Sequence, residues 1–307
     1  MITIESVSKS FNGITAVDDI SLKANDKEIL VLLGTSGCGK TTTLKMINRL
    51  IEPDSGNIII DGQNIRSTKI ENLRMGIGFV MQHAGLFPHY TIRQNIAVVP
   101  ELLKWDKKRI QTRTEELINK LNLKEDVLAR FPNQLSGGQQ QRVGIARALI
   151  ANTPVLLMDE PFGALDNLTK TDIHSEFKSL EEIKSKTILL VTHDVQEAFE
   201  LGHRICLMDK GKIVQIGPAK EILFRPKNDF VQQFFAANRL LLEYKITMLT
   251  DLNPFLTELA ALKKELHFQD NTSIWDALQK LGIDNRHTEY YEKLTKAFSD
   301  YRKLQVR

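Results

Sequence analysis

Cysteine is scarce in this chain of 307 residues, which contains only Cys38 and Cys206. Two cysteines cannot form the disulfide framework that stabilises small secreted domains. No apolar run reaches the roughly 18–20 residues that cross a bilayer. The start, Met1–Glu5, lacks the basic and apolar regions of a signal peptide. We therefore expect a cytosolic protein, which can serve a membrane process only by docking onto another protein.

An excess of one charge is also missing, because 41 basic residues face 38 acidic ones and the net charge is +3. Proteins that bind the phosphate backbone of nucleic acids usually carry a concentrated basic face. We therefore expect no nucleic-acid partner. Apolar residues make up 42% of the chain, which is enough for one large or two moderate folded domains.

Short apolar runs alternate with helical patterns along most of the chain. The runs Glu28–Leu33, Val155–Met158 and Thr187–Val191 predict strands, and Asp166–Lys184 between them predicts a helical stretch. Strands that alternate with helices favour a largely parallel sheet. Near the start, Asn12-Gly13 predicts a turn between two strands.

Two regions depart from this alternation, and their patterns predict helices. Residues 91–150 predict a helical subdomain inserted into the sheet, and residues 239–307 predict a C-terminal helical extension. In the extension, Ser273 and Asp276 resemble a capping box for the helical run after them. Apolar residues there also share one helical face, namely Phe255, Leu259, Leu262 and Leu266. No motif in this extension indicates its role.

The clearest chemical motif is the phosphate loop Gly34–Thr41, which follows the apolar run Ile29–Leu33 and opens a helical pattern. It fits the pattern G-x-x-x-x-G-K-[ST] in its required strand–loop–helix setting. We expect Lys40 to reach the β- and γ-phosphates of a nucleotide and Thr41 to offer its hydroxyl to Mg²⁺. The candidate binding residues here are Gly34, Thr35, Ser36, Gly37, Cys38, Gly39, Lys40, Thr41 and Thr42.

A second motif, Leu135–Gln139, also opens a helical run. Free backbone N–H groups at a helix start attract anions, and the helix dipole adds to this attraction. The candidate binding residues are Ser136, Gly137, Gly138 and Gln139. Because a nucleotide has one terminal phosphate, two such motifs in one chain suggest that two copies share each nucleotide.

The strand Val155–Met158 is followed by two acids, Asp159 and Glu160. Asp159 is suited to hold Mg²⁺, and Glu160 is placed to polarise an attacking water as general base. A strand that merely ends at solvent is the alternative interpretation. That alternative accounts for one acid more readily than for two beside a phosphate loop.

These three motifs, in this order, resemble those of the ATP-binding subunits of ABC transporters, and the resemblance covers roughly Met1–Arg239. It implies a P-loop NTPase core, of the α/β class, in residues 1–238, with a mostly parallel sheet, an N-terminal antiparallel β subdomain and an α-helical insertion. The extension 239–307 would be a small helical appendage. It also implies that two subunits sandwich two ATP molecules head to tail.

Four further positions match this family one by one. The resemblance implies that Gln82 contacts Mg²⁺ and faces the membrane subunit, and that His193 contacts the γ-phosphate. It implies that Asp166, in the loop Ala164–Asp166, lies at the dimer interface. It also implies that Phe11 stacks on adenine, where an ordinary core phenylalanine is the competing interpretation.

Weaker matches resemble the group that imports glycine betaine, carnitine or choline. They lie in Gly34–Gly39, Lys45–Leu50, Gly85–Ile96 and Val99–Trp105. The resemblance implies transmembrane permease subunits as partners, indirectly a substrate-binding protein, and a location on the inner face of the cell membrane. The permease contact would involve an aromatic and apolar patch, Leu86, Phe87 and Tyr90, unless these residues pack internally.

Three alternatives stay open at this point. The chain could serve an importer for another small solute, or act as a soluble ABC ATPase in DNA repair or translation. The absence of sustained heptads and the single set of motifs argue against the soluble classes. The third alternative is a binding protein that has lost hydrolysis, against which the presence of Glu160 and His193 argues.

Overall fold

The computed structural model of the chain contains two compact units, Met1–Val214 and Gln215–Arg307. The structure describes the chain apart from residues 83, 164–166, 257–262, 264–265, 283–287 and 306–307, and it leaves out the side chains of residues 167–169 and 171–172. The units divide earlier than the predicted end of the ATP-binding domain at residue 238. Because compactness does not define a functional domain, that end stays a prediction.

The first unit begins with an antiparallel sheet. Its strands are β1 (Ile2–Phe11), β2 (Ile14–Ala24), β4 (Ser55–Ile60) and β5 (Gln63–Asn64), in the order β2-β1-β4-β5. Asn12 and Gly13 join the first two strands with φ angles of +49° and +80°. Asparagine and glycine tolerate these positive angles, so the predicted turn is confirmed.

A six-stranded sheet forms the centre of the first unit. Its strand order is β10 (Lys212–Gly217), β9 (Arg204–Asp209), β3 (Ile29–Gly34), β8 (Thr187–Val191), β7 (Val155–Asp159) and β6 (Ile77–Val80). The pairs from β9 through β6 are parallel, as the alternating pattern predicts. Every residue of β3, β7 and β8 is buried, which explains why these strands are apolar on both faces.

Helices cover this sheet and build the insertion. They are α1 (Lys40–Ile47), α2 (Ile70–Met75), α3 (Ile92–Leu102), α4 (Lys107–Lys120), α5 (Gly137–Leu149), α6 (Asn167–Ser179), α7 (Glu181–Lys184) and α8 (Val195–Leu201). Three of them, α3 to α5, lie within the helical subdomain predicted at residues 91–150. Ion pairs from Arg113 and Lys120 to the buried Glu182 join α4 to α7.

The described part of the second unit is mostly helical beyond its first residues. Its helices are α9 (Ala219–Phe224), α10 (Asp229–Phe235), α11 (Arg239–Ile246), α12 (Ile274–Gly282) and α13 (Thr288–Gln305). Ser273 Oγ accepts a hydrogen bond from the Asp276 backbone N–H at 3.1 Å, so the Ser273 half of the predicted capping box of α12 is confirmed. The Asp276 carboxylate accepts from the Ser273 hydroxyl at 2.7 Å. The fully buried Glu243 lies between Arg239 and Arg302, at 2.8 and 2.6 Å, and so ties α11 to α13.

Part of the predicted apolar face of the extension, Leu259 and Leu262, lies outside the described residues. Among the described helices, none is both long enough and apolar enough to cross a membrane.

Candidate functional site

The loop between β3 and α1 is shaped by two glycines that approach other backbone segments closely. Gly39 has a φ of +101°, and a Cβ atom there would lie 2.4 Å from the carbonyl oxygen of Ala16. Gly34 has a φ of +155°, and a Cβ atom there would lie 2.1 Å from the carbonyl oxygen of Met208. Real Cβ atoms do not approach oxygen this closely, so both positions require glycine.

We expect Gly39→Ala to deform this loop and to weaken nucleotide binding at least tenfold. The left-handed backbone alone costs about 1–2 kcal/mol for an alanine, and the clash with Ala16 adds to that cost. Equilibrium binding of ATP and thermal unfolding measure both effects. Gly62→Ala is the matched control, because Gly62 has a φ of +80° with open space around its Cβ position. Equal ATP affinity in the two variants would contradict this account of the loop.

Lys40 is folded over the mouth of the loop. Its ammonium donates hydrogen bonds to the carbonyl oxygens of Gly34 at 2.9 Å and Thr35 at 2.8 Å, and it lies 3.6 Å from Cys38 Sγ. Lys40 is only 6% exposed and Cys38 is buried. The loop therefore holds one positive charge among its backbone atoms, where phosphate oxygens are expected.

Two oxygen-bearing side chains meet directly beside the loop. Thr41 Oγ1 donates a hydrogen bond of 2.8 Å to Asp159 Oδ1 at the end of β7. Burial raises the pKa of Asp159 above its ordinary value, although the Thr41 hydrogen bond and the charges of Lys45 and Lys40 act in the opposite direction. Hydroxyl and carboxylate oxygens are the ligands that Mg²⁺ prefers, so this pair fits the predicted metal site.

The three predicted catalytic residues come together at the same edge of the sheet. Glu160 Oε2 accepts a hydrogen bond from Gln82 Nε2 at 2.9 Å and lies 3.1 Å from His193 Nδ1. The backbone N–H of Glu160 donates to the carbonyl oxygen of Val191 at 2.9 Å, which joins the ends of β7 and β8. Glu160 adopts a φ of +45°, a conformation that is uncommon outside glycine and clusters at functional sites.

A cleft of about 340 Å³ contains this arrangement. Its lining residues are Ser36, Gly37, Cys38, Gly39, Lys40, Thr41, Thr42, Gln82, Glu160 and His193. The described cleft thus joins the phosphate loop to all three catalytic candidates. The residues of the second motif, 136–139, do not belong to its lining.

The second motif forms the N-terminus of α5. Ser136 Oγ accepts from the Gln139 backbone N–H at 3.3 Å, and Gln139 Oε1 accepts from the Ser136 N–H at 3.1 Å. This reciprocal capping box uses the side chains of both residues. An anion would therefore be met mainly by the backbone of Gly137 and Gly138 rather than by the Gln139 side chain.

Two predicted site residues, Phe11 and Asp166, remain to be placed. Phe11 is 41% exposed at the end of β1, with Lys9 Nζ 5.4 Å from its ring centroid. The interpretation of Phe11 as a core residue is therefore wrong, and its stacking on adenine stays a prediction. Asp166, with Ala164 and Leu165, lies outside the described residues.

The phosphate loop also makes a side-chain hydrogen bond that the motifs did not predict. Asp209, at the end of β9, accepts a hydrogen bond from Thr35 Oγ1 at 3.1 Å. The signal in the sequence was the same as for Asp159, since an acid directly follows an apolar strand. Sequence reasoning lacked the pairing of β9 with β3, which brings the two residues together.

The predicted aromatic patch points outward. Phe87 and Tyr90 are exposed and their ring centroids are 5.4 Å apart, while Leu86 is half-buried. The fully buried Asn95 side chain accepts from the Phe87 N–H and donates to the carbonyl oxygens of Phe87, Tyr90 and Thr91. The alternative interpretation, that Phe87 and Tyr90 pack internally, is therefore wrong.

Comparison with known proteins finds one matching family model and several similar proteins. A family model described as ABC transporter matches residues 17–163. The choline transport ATP-binding protein of Bacillus subtilis is 49% identical over 242 residues, which are 78% of this chain and 64% of that protein. The glycine betaine uptake system ATP-binding protein of Escherichia coli is 50% identical over 240 residues, 78% of each chain. The chain thus spans slightly less than two thirds of the Bacillus subtilis protein and 78% of the Escherichia coli protein.

Among solved structures, a dimeric post-hydrolysis state of an ATP-binding cassette bound to ADP and Pi is similar. It is 34% identical with a TM-score of 0.65, and the match covers 71% of this chain and 98% of that one. The predicted fold, a P-loop core with an antiparallel β subdomain and a helical insertion, is confirmed. With these motifs, this fold and these relatives, the chain belongs to the ABC transporter family.

Proposed function

We propose that this chain is the ATP-hydrolysing subunit of an importer for quaternary-amine osmolytes such as glycine betaine, carnitine or choline. The observation that carries the hydrolytic part is the contact of Glu160 with both Gln82 and His193 beside the phosphate loop. The substrate class is supported by the relatives named for choline and glycine betaine transport, at about half identity.

We assign each of these residues a step in hydrolysis. Loop N–H groups and Lys40 bind the β- and γ-phosphates, and Phe11 stacks on adenine. Thr41, Asp159 and Gln82 would hold Mg²⁺, which neutralises phosphate charge when it is bound. Glu160, oriented by Gln82 and His193, takes a proton from water as the new P–O bond forms. The bond between the γ-phosphorus and the bridging oxygen breaks, and ADP leaves.

The nucleotide would be shared between two copies arranged head to tail. Two facts support this arrangement: the described cleft does not include residues 136–139, and the similar cassette structure is dimeric. In the dimer, Ser136, Gly137 and Gly138 of one copy would meet the γ-phosphate held by the other copy's Lys40. Asp166 would lie near this interface. ATP would favour the closed dimer because only that state offers contacts from both sides.

Mixing two inactive variants tests the shared site. Chains with Lys40→Ala lack a working loop, and chains with Gly137→Asp place a carboxylate against the phosphate. We expect each variant alone to be inactive. An equal mixture should recover about a quarter of the wild-type rate, because half of the dimers keep one intact composite site. A mixture as inactive as its components would show that each site lies within one chain.

The importer itself would be tested in membrane vesicles. The permease would dock on the aromatic patch Leu86, Phe87 and Tyr90 and hold the subunit at the inner face of the membrane, and a substrate-binding protein would deliver the solute. We expect glycine betaine, carnitine or choline to stimulate ATP hydrolysis by the reconstituted complex, and sulfate not to. Stimulation by an unrelated solute alone would support the importer but exclude the quaternary-amine class.

A further inference from the structure

Glu197 is a buried acid that the catalytic steps above do not use. It lies in the first turn of α8, four residues after His193, and it is 1% exposed. Its backbone N–H donates to Asp194 Oδ1 at 3.3 Å, and the side chain of Thr192 lies close enough to act on the pKa of its carboxyl group. Glu197 therefore contacts the residues on both sides of His193.

Thr192 connects this carboxyl group to the rest of the site. Its backbone N–H donates to the carbonyl oxygen of Leu32 at 3.1 Å, on the strand that leads into the phosphate loop. Its hydroxyl accepts from the Asp194 N–H at 3.0 Å. The residue before it, Val191, accepts from the Glu160 N–H. The turn Thr192–Asp194 is thus fixed between the loop strand and Glu160, and it carries His193.

The surroundings of Glu197 favour its neutral form. Its Oε1 atom is buried without a hydrogen-bond partner, which is costly for a charged oxygen. The Asp194 carboxylate is nearby and is paired with Lys170 of α6 at 3.0 Å. Burial, followed by the charge of Asp194, raises the pKa of Glu197 to about 8, while Thr192 and Lys170 act in the opposite direction.

The other groups around α8 do not reverse this preference. The strand β3, which packs against α8, has only apolar residues and glycine. From α6, His174 pairs with Glu200 at 2.8 Å and Lys178 donates to the Glu200 carbonyl oxygen. Glu160 adds a further negative charge that raises the pKa of Glu197. At neutral pH the group therefore keeps its proton.

We propose that Glu197, as a neutral carboxyl group, is a positioning residue that holds the turn Thr192–Asp194 so that His193 stays beside Glu160. Ionisation would place a second carboxylate next to Asp194 in an apolar setting, and the turn would move to relieve it. This inference rests on the proposed ATP hydrolysis for its kinetic readout.

Two variants at Glu197 separate the effect of its polar group from the effect of its negative charge. Glu197→Gln keeps a neutral polar group of the same shape, and Glu197→Ala removes it. At pH 7 we expect Glu197→Gln to keep at least half of the wild-type kcat. Glu197→Ala should lose about tenfold in kcat with little change in KM for ATP. The wild-type kcat should fall as the pH rises through about 8, and Glu197→Gln should lack this alkaline fall.

Superimposable pH profiles of the wild type and Glu197→Gln would overturn the proposal, as would equal impairment of both variants at pH 7. Should Glu197→Ala fail to fold, the comparison of the wild type with Glu197→Gln still decides. The NMR resonance of His193 gives a readout without hydrolysis: it should shift between pH 7 and 9 more in the wild type than in Glu197→Gln. A wild type without ATPase activity would refute the proposed function, and equal His193 shifts would refute the role of Glu197.

Discussion

Replacing Lys40 with alanine should lower the affinity for ATP at least a hundredfold. The ammonium is the buried charge at the mouth of the loop, held by the carbonyl oxygens of Gly34 and Thr35. A hydrogen bond to a charged group contributes about 1.5–3 kcal/mol, and Lys40 is expected to make two or more with the phosphates. Equilibrium titration with ATP at fixed Mg²⁺ measures the loss.

Two further variants make this result specific. Lys40→Met keeps the aliphatic length of the side chain without its charge, so it should lose affinity nearly as much as the alanine variant. Lys107→Ala removes an exposed lysine at the start of α4, outside the lining of the cleft, and should leave affinity unchanged. Wild-type affinity in Lys40→Met would show that the charge does not contact the phosphates.

Replacing Glu160 with glutamine should slow hydrolysis at least a hundredfold while ATP still binds. The amide cannot take the proton from water, and general base catalysis contributes about 10²–10⁴-fold to rates. The amide oxygen can still accept from Gln82, so the cleft should keep its shape. ATP that is bound but not hydrolysed should hold the dimer closed.

Size-exclusion chromatography with multi-angle light scattering detects this trapped dimer. Glu160→Gln should elute as a dimer in ATP and as a smaller species in ADP. Glu181→Gln is the matched control, because Glu181 is exposed. Within the described part of the chain it forms an ion pair with Lys184 at the surface. A Glu160→Gln protein that stays monomeric at saturating ATP would count against the shared site.

Features that depend on neighbouring residues could be predicted from the sequence. The phosphate loop, the turn at Asn12-Gly13 and the cap of α12 by Ser273 all follow from short patterns. The parallel sheet also followed, because alternating strands and helices allow few other arrangements. The catalytic roles proposed for Gln82 and His193 came from family resemblance, since an isolated glutamine or histidine carries no such signal.

By itself, the sequence determined which segments form the loop, the strands and the caps, because local hydrogen bonds and hydrophobic periodicity act over a few residues. Only the tertiary structure decided that Gln82 meets Glu160 across 78 positions and that Thr35 meets Asp209 across 174. It also decided that Gly39 faces Ala16 and that Glu197 is buried. These contacts depend on the order of strands in the sheet, which arises from packing between segments distant in the chain and leaves no local pattern.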